Sequence, residues 1–329
     1  MTMSTRTGKS SPQVLLLTHA PRHSRLGNRI TALRWAAFIR HMGWRVRVIN
    51  RYQQQPADVM IALNARRNQA DFRAYAENGQ GALILALTGT DSYAGWPNAD
   101  EQRFAEQHVD ALIALQDDMR QRLPVTLRSR CTVIYQSAAR LDNERAQNAT
   151  PVFLLSGHLR AEKAPFLPVQ SIHEYLPTMT MQLMHCGGVI DAGMDEQARQ
   201  WMQRETRYHY LGELPHRQAL QQLQHADALI NPSRIEGGPA VVTEAIVAGV
   251  PVLASNIPAH RGLLGEDYLG FFQVDDPAEL ARRITDFIEH RDYRERLRQQ
   301  IVAREHLFQT EHERACLQRL LCSVVDQAP

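Results

Sequence analysis

The sequence predicts an α/β protein of two domains, each a parallel β-sheet covered by helices on both faces. Three observations predict it. Short β-rich apolar runs alternate with longer segments of helical period. The alternation stops once near the middle of the chain and then resumes. With 329 residues, 44% hydrophobic and 22% charged, the chain is long enough for two cores rather than one.

In the first half the strands are expected at Val14–Leu17, Val46–Ile49, Val59–Leu63, Leu83–Leu87, Ala111–Leu115 and Thr132–Tyr135. The first helix starts near Asn28 and runs through Ile30, Leu33, Trp35, Phe38 and Ile39 to Gly43, whose freedom at positive φ suits a helix C-terminus. Ala138–Thr150 has little apolar content and reads as the interdomain linker.

The second half begins with a strand at Val152–Leu155 and continues with strands at Gln182–His185, Tyr208–Leu211, Ala228–Asn231 and Val252–Ala254. Helices are expected at Asp191–Glu205, Arg217–His225 and Pro277–His290. Asp292–Val325 reads as helix almost throughout, with no strand beside it in sequence, so it is expected to cross back onto the first domain. The division that follows is a disordered tail over 1–12, a Rossmann-like domain over 13–148, a second over 149–300, and a returning helix over 301–329. Two such halves facing each other make a cleft between strand ends, where α/β sheets bind ligands.

Composition narrows the function. Thirty-seven Lys and Arg against 35 Asp and Glu give a net charge of +2, so nothing calls for nucleic acid as a partner. Cys131, Cys186, Cys316 and Cys322 lack Cys-x-x-Cys spacing, which argues against a disulfide framework or structural zinc and for a reducing cytoplasm. No apolar stretch approaches the roughly 20 residues of a membrane span, and Met1–Pro12 lacks the apolar core of a signal peptide.

The chemistry concentrates between Asn231 and Pro251, a strand, a glycine loop, a short helix and a strand. Pro239 suits the first helical position and Gly249 the position just past the end, so the helix N-terminus falls at Gly238–Ala240. Its free N–H groups and partial positive charge suit a diphosphate. Glu236 on the loop and Glu244 in the helix would bracket the ligand, since a carboxylate beside a nucleotide site commonly accepts from ribose hydroxyls. A Gly-Gly-Pro turn with a capping glutamate is also a common structural device, so spacing alone leaves both readings open.

Pro232-Ser233, Glu236-Gly237-Gly238, Glu244-Ala245 and Gly249-Val250-Pro251-Val252 resemble the donor signature of the GT-B glycosyltransferases, whose two glutamates are likewise separated by seven residues. The resemblance runs from about Val152 to His290. It includes Gly157-His158-Leu159 with Lys163, similar to a Gly-Arg-Leu plus lysine motif, and Gly212-Glu213-Leu214, similar to the loop before the nucleotide base. It implies a GT-B fold and donor contacts from Gly157, His158, Arg160, Lys163, Gly212, Glu213, Leu214, Gly237, Gly238, Pro239, Ala240 and Val241. Lys163 would meet the diphosphate, Glu244 the ribose and Glu236 the transferred sugar. His158 departs from the family's arginine, and Arg160 lies two residues on to supply a cation. The family needs no metal, and the chain has no Asp-x-Asp motif.

The first half supplies three segments after strand ends, Thr18–Arg29, Asn64–Arg67 and Leu87–Asp91. Arg22, Arg25, Arg29, Arg66 and Arg67 gathered near a helix start with Gly27 and Asn28 point to an anionic acceptor, because guanidinium forks suit phosphate. Thr88, Gly89, Thr90 and Asp91 would line the same edge, with His19 and Asp91 as candidate proton acceptors or orienting groups. Ser24–Arg29, Leu87–Asp91, Gly157–Arg160 and Gly262–Tyr268 are similar to the selenosugar synthases of selenoneine biosynthesis. That resemblance implies transfer from a UDP-sugar, UDP-N-acetylglucosamine, to selenophosphate with loss of UDP and phosphate. A hydroxyl acceptor, a UDP-sugar epimerase of the same fold, and a nucleotide-binding regulatory module remain as alternatives.

Overall fold

The computed structural model describes residues 11–24, 27–79, 81–88, 96–140 and 148–327. The chain forms two compact units, Met1–Ile134 with Glu313–Pro329, and Tyr135–His312.

The first unit holds β1 (Gln13–Thr18), β2 (Arg45–Ile49), β3 (Val59–Leu63), β4 (Ala82–Leu87), β5 (Ala111–Ala114) and β6 (Cys131–Val133), all parallel, in the order β2-β1-β3-β4-β5-β6. Its helices are α1 (Gly27–His41), α2 (Gln69–Glu77), α3 (Ala99–His108), α4 (Asp117–Gln121) and α5 (Val125–Arg128). Every residue of β3 and β4 is buried, as in strands covered on both faces. Strand alternation divides the core. Leu15, Leu17, Met60 and Leu85 face Phe72, Tyr75 and Phe104 of α2 and α3, while Val14, Leu16, Ile61 and Ile84 face Trp35 and Ile39 of α1.

The second unit runs β7 (Val152–Ser156), α6 (Leu167–Tyr175), β8 (Gln182–Cys186), α7 (Met194–Arg204), β9 (Tyr208–Tyr210), α8 (His216–His225), β10 (Ala228–Asn231), α9 (Ala240–Val247), β11 (Val252–Ser255), α10 (Pro258–Leu264), β12 (Phe271–Phe272), α11 (Pro277–Glu289) and α12 (Arg291–Glu305). Its parallel sheet has the order β12-β11-β10-β7-β8-β9. β12 escapes a sequence reading because two residues carry no period.

The unit boundaries differ from the sequence division. The chain leaves the first sheet at Ile134, ahead of the linker expected over 138–150, because Tyr135 already belongs to the second unit. Its hydroxyl donates to Gly262 O at 3.3 Å and its ring meets Phe308 edge-on at 5.2 Å. The C-terminal helical stretch is broken by a 3₁₀ turn at His306–Phe308, and the return begins at Glu313 rather than at 301. Leu297 and Ile301 hold α12 in the second unit. The last helix, α13 (Thr310–Gln327), places Cys316, Leu317, Leu320, Leu321 and Val324 at three- and four-residue spacing in the α1 face of the first core. Glu313, fully buried, accepts from Trp35 Nε1 at 2.8 Å and pairs with Arg34 Nε at 3.0 Å. Residues 1–10 of the expected tail lie outside the described residues. Ser11 and Pro12 belong to the sheet margin instead, since Pro12 O accepts from Arg45 N and Ser11 O from Arg45 Nε. Among the described residues no helix is long and apolar enough to cross a membrane.

Strand order positions the sites. In the first sheet the order reverses between β1 and β3, in the second between β7 and β10, and ligands in open parallel sheets bind beyond the C-terminal strand ends at such points.

Candidate functional site

At the second sheet's reversal the chain leaves β7 through Gly157, His158 and Arg160 into a 3₁₀ turn, Ala161–Lys163, and leaves β10 through Pro232 to Pro239 into α9. The turn is closed by Ala164 at φ 43, a left-handed conformation that costs a residue with a Cβ roughly 1–2 kcal/mol. The two segments meet through Arg234, whose backbone N donates to Glu162 O at 2.8 Å and whose guanidinium donates to Ala161 O, and through an ion pair. Lys163 Nζ donates to Glu236 Oε1 at 2.5 Å, with Glu236 only 9% exposed. Ser233 Oγ stands 2.7 Å from that same oxygen and 2.7 Å from Asn231 Oδ1, two acceptors for its single proton. Glu236 is thus anchored through Oε1, and Oε2 has no partner among the described residues.

A buried layer lies behind this loop. Ser255 Oγ donates to Ser233 O at 2.5 Å, and His260 Nδ1 donates to Ser255 O at 2.7 Å. Full burial lowers the His260 pKa to about 4, so the ring is neutral with Nε2 unpartnered.

The neighbouring strand ends pack at backbone distance. Gly187 N donates to Gly212 O at 2.8 Å, and a Cβ on Gly187 would lie 1.9 Å from Gly157 O, so no larger residue fits. Gly188 N donates to His158 Nδ1 at 3.0 Å, which puts the proton of neutral His158 on Nε2 and makes that nitrogen a donor where the family's arginine would stand. A Cβ on Gly188 would be 3.2 Å from Glu213 Oε2, so Glu213 borders the same place. His185 holds the Gly157 carbonyl from beneath at 3.0 Å and meets Tyr208 Oη at 2.8 Å, and burial lowers its pKa to about 4.

α9 begins at Ala240, with Pro239 (φ −68, ψ 108) as its N-cap rather than its first residue. The amides of Ala240 and Val241 therefore have no intrahelical acceptor and face outward along the axis. Glu244, one turn in, accepts at Oε1 from His216 Nε2 at 2.8 Å. Arg160 is not a free cation, because Glu162 holds it at 3.0 Å through both carboxylate oxygens. Gly212, at φ 73, and Leu214 lie on the turn leading to α8.

The first unit's strand ends differ in character. Arg29 is in the first turn of α1 and 8% exposed, and its Nε has no hydrogen bond. His19 Nδ1, after β1, and Thr88 Oγ1, after β4, are likewise buried without partners. Burial first, and the Arg67 guanidinium second, hold the His19 pKa below its ordinary value. Arg66 and Arg67 are exposed on a turn built by Asn64 at φ 76, whose Oδ1 accepts from both their backbone amides. Arg22 is exposed, and Gly27 and Asn28 open α1. Arg25, Gly89, Thr90 and Asp91 lie outside the described residues.

Sequence reasoning missed Ser233 and His216 as groups that hold the glutamates. Ser233 stood inside the motif and is a signal that was present; His216 is one exposed histidine at a helix start, with nothing in the pattern to single it out.

A family model described as Glycosyl transferases group 1 matches residues 140–304. Solved structures similar to the chain include Anabaena Alr3699/HepE in complex with UDP and glucose, 15% identical, covering 95% of this chain and 100% of that one with a TM-score of 0.72. Sucrose-phosphate synthase (tll1590) from Thermosynechococcus elongatus is 13% identical over 96% and 99%, with a TM-score of 0.76. A glycosyltransferase from Rickettsia africae ESF-5 is 11% identical over 97% and 100%, with a TM-score of 0.77. At these identities the likeness carries the GT-B fold.

Proposed function

We propose that this chain, which belongs to the glycosyl transferases group 1 family, transfers a hexosyl group, N-acetylglucosaminyl, from its UDP-sugar to the selenium of selenophosphate. The observation that supports an anionic acceptor is the set of unpartnered buried atoms near the first sheet's C-terminal strand ends, Arg29 Nε, Thr88 Oγ1 and His19 Nδ1, with exposed Arg22 after β1 and exposed Arg66 and Arg67 after β3. Leaving such groups unpaired costs about 1–3 kcal/mol each, a cost that a bound oxyanion removes. Selenophosphate among anions rests on the likeness of the segments around Arg29, Thr88, His158 and Gly262 to selenosugar synthases.

On the donor side, Glu244 Oε2 accepts from ribose hydroxyls, Glu236 Oε2 from the transferred sugar, and the α9 terminus with Lys163 and His158 Nε2–H meets the diphosphate. That a UDP complex is known for the similar Anabaena protein supports the nucleotide. The selenium lone pair forms the bond to C1 as the C1–O bond to UDP breaks, and the growing charge on the diphosphate is met by fixed donors. Water then splits the Se–P bond, releasing phosphate and the selenol of the sugar. Selenium is soft and ionised at neutral pH, so it needs little help from a general base. With amides and cations in place of a metal, turnover continues in EDTA.

Mass spectrometry of UDP-N-acetylglucosamine with selenophosphate tests this reading. A selenium isotope pattern on an N-acetylhexosamine, with stoichiometric UDP, is expected. Absence of any selenium-bearing sugar with common UDP-hexoses, alongside transfer to a hydroxyl compound, overturns it in favour of an ordinary acceptor. Activity lost in EDTA and restored by magnesium overturns the metal-free part.

A further inference from the structure

The geometry points to His216 as a positioning residue for the nucleotide ribose, acting through Glu244. The inference rests on the donor reading above and extends it to a residue outside the motif. A glutamate in the middle of a short helix has three side-chain torsions, and a carboxylate left free would sample several rotamers, only some of which present an oxygen to a ligand. Here one oxygen is fixed. His216 Nε2 donates to Glu244 Oε1 at 2.8 Å, while Oε2 has no partner among the described residues. Glu236 is held in the same manner, through Oε1 by Lys163 and Ser233 with Oε2 open.

The placement of His216 gives the contact its meaning. It is the first residue of α8, directly after the Gly212–Pro215 turn at the end of β9, whereas Glu244 belongs to α9 after β10. In the sheet, β9 and β10 are separated by β7 and β8, so the bond spans the strand ends over which a nucleotide would lie. The side chain is 72% exposed, so it contributes little to the core, and its removal is expected to leave the fold intact. A bond of this kind matters to binding because it fixes the carboxylate before the ligand arrives.

Calorimetric titration of His216→Ala, His216→Gln, Glu244→Ala and the parent chain with UDP and with 2′,3′-dideoxy-UDP tests the inference. His216→Ala is expected to bind UDP about three- to tenfold more weakly, the effect of one modest hydrogen bond. It is expected to bind the dideoxy nucleotide as the parent does, and His216→Gln, which keeps a donor, to recover most of the loss. Equal weakening toward both nucleotides, or unchanged UDP affinity in His216→Ala while Glu244→Ala is impaired, overturns the positioning role and leaves the donor reading standing. Unchanged UDP affinity in Glu244→Ala overturns the ribose assignment itself.

Discussion

The strand ends of the two sheets are built on opposite terms. In the second unit Lys163 is paired with Glu236, His216 with Glu244 and Arg160 with Glu162, and the buried unpartnered atom found there, His260 Nε2, lies in the layer behind the loop. In the first unit Arg29 Nε, His19 Nδ1 and Thr88 Oγ1 are buried with no partner. The difference teaches how a two-substrate enzyme divides its stability. On the proposed reading the second unit's edge takes the donor and is organised before ligand arrives, so that its contacts support both the fold and the chemistry. On the same reading the first unit's edge takes the acceptor, and its unsatisfied groups are a cost to the fold that binding would relieve.

The sharpest way to break the comparison is Lys163→Met. It leaves Glu236 buried without its cation and should lower turnover by about 10²–10³-fold, with destabilisation of about 3–5 kcal/mol. Adding Glu236→Gln to the same chain should restore most of the stability and none of the activity. Denaturant unfolding alongside turnover checks both, and a stable, active Lys163→Met would show that the donor edge is not organised around this pair.

Arg29→Met tests the other side. Removing an unpaired buried guanidinium should leave stability unchanged or raise it by about 1 kcal/mol, while the acceptor KM rises about 10- to 100-fold and UDP affinity holds. His19→Ala should cost less than Arg29→Ala combined with Arg66→Ala, since a selenium nucleophile leans on the anion site more than on a base. A marked loss of melting temperature in Arg29→Met would mean that the arginine is structural.

The smallest effect is a pH dependence. The hydrogen bond that His216 donates to Glu244 raises the His216 pKa above the ordinary 6.5, against a smaller opposing effect of burial. A raised pKa means that the cation is favoured in the folded chain below that value and lost as pH rises through it. The parent chain should therefore bind UDP about two- to threefold more weakly above this pKa than below it, relative to His216→Ala at each pH. Taking the ratio removes titration of the diphosphate, and a flat ratio would show that His216 acts without its charge.

The sequence by itself determined the architecture and the place of the Glu236–Glu244 segment within it. Fully apolar runs such as Val59–Leu63 and Leu83–Leu87, too short for a helix of ordinary length, read as strands covered on both faces, and Gly237-Gly238-Pro239 before an apolar run reads as a strand-to-helix turn. These are local rules, satisfied within ten residues or so. What the tertiary structure alone decided are pairings between distant segments. Lys163, read as a diphosphate contact, also pairs with Glu236, 73 positions on. Arg160, read as a spare cation, is taken by Glu162. His216 finds Glu244 across four strands, and Glu313 decides where the last helix returns because buried Trp35 and half-buried Arg34 both bind it. Which charged groups neutralise one another depends on distances of a few ångströms after folding, and periodicity holds no record of them.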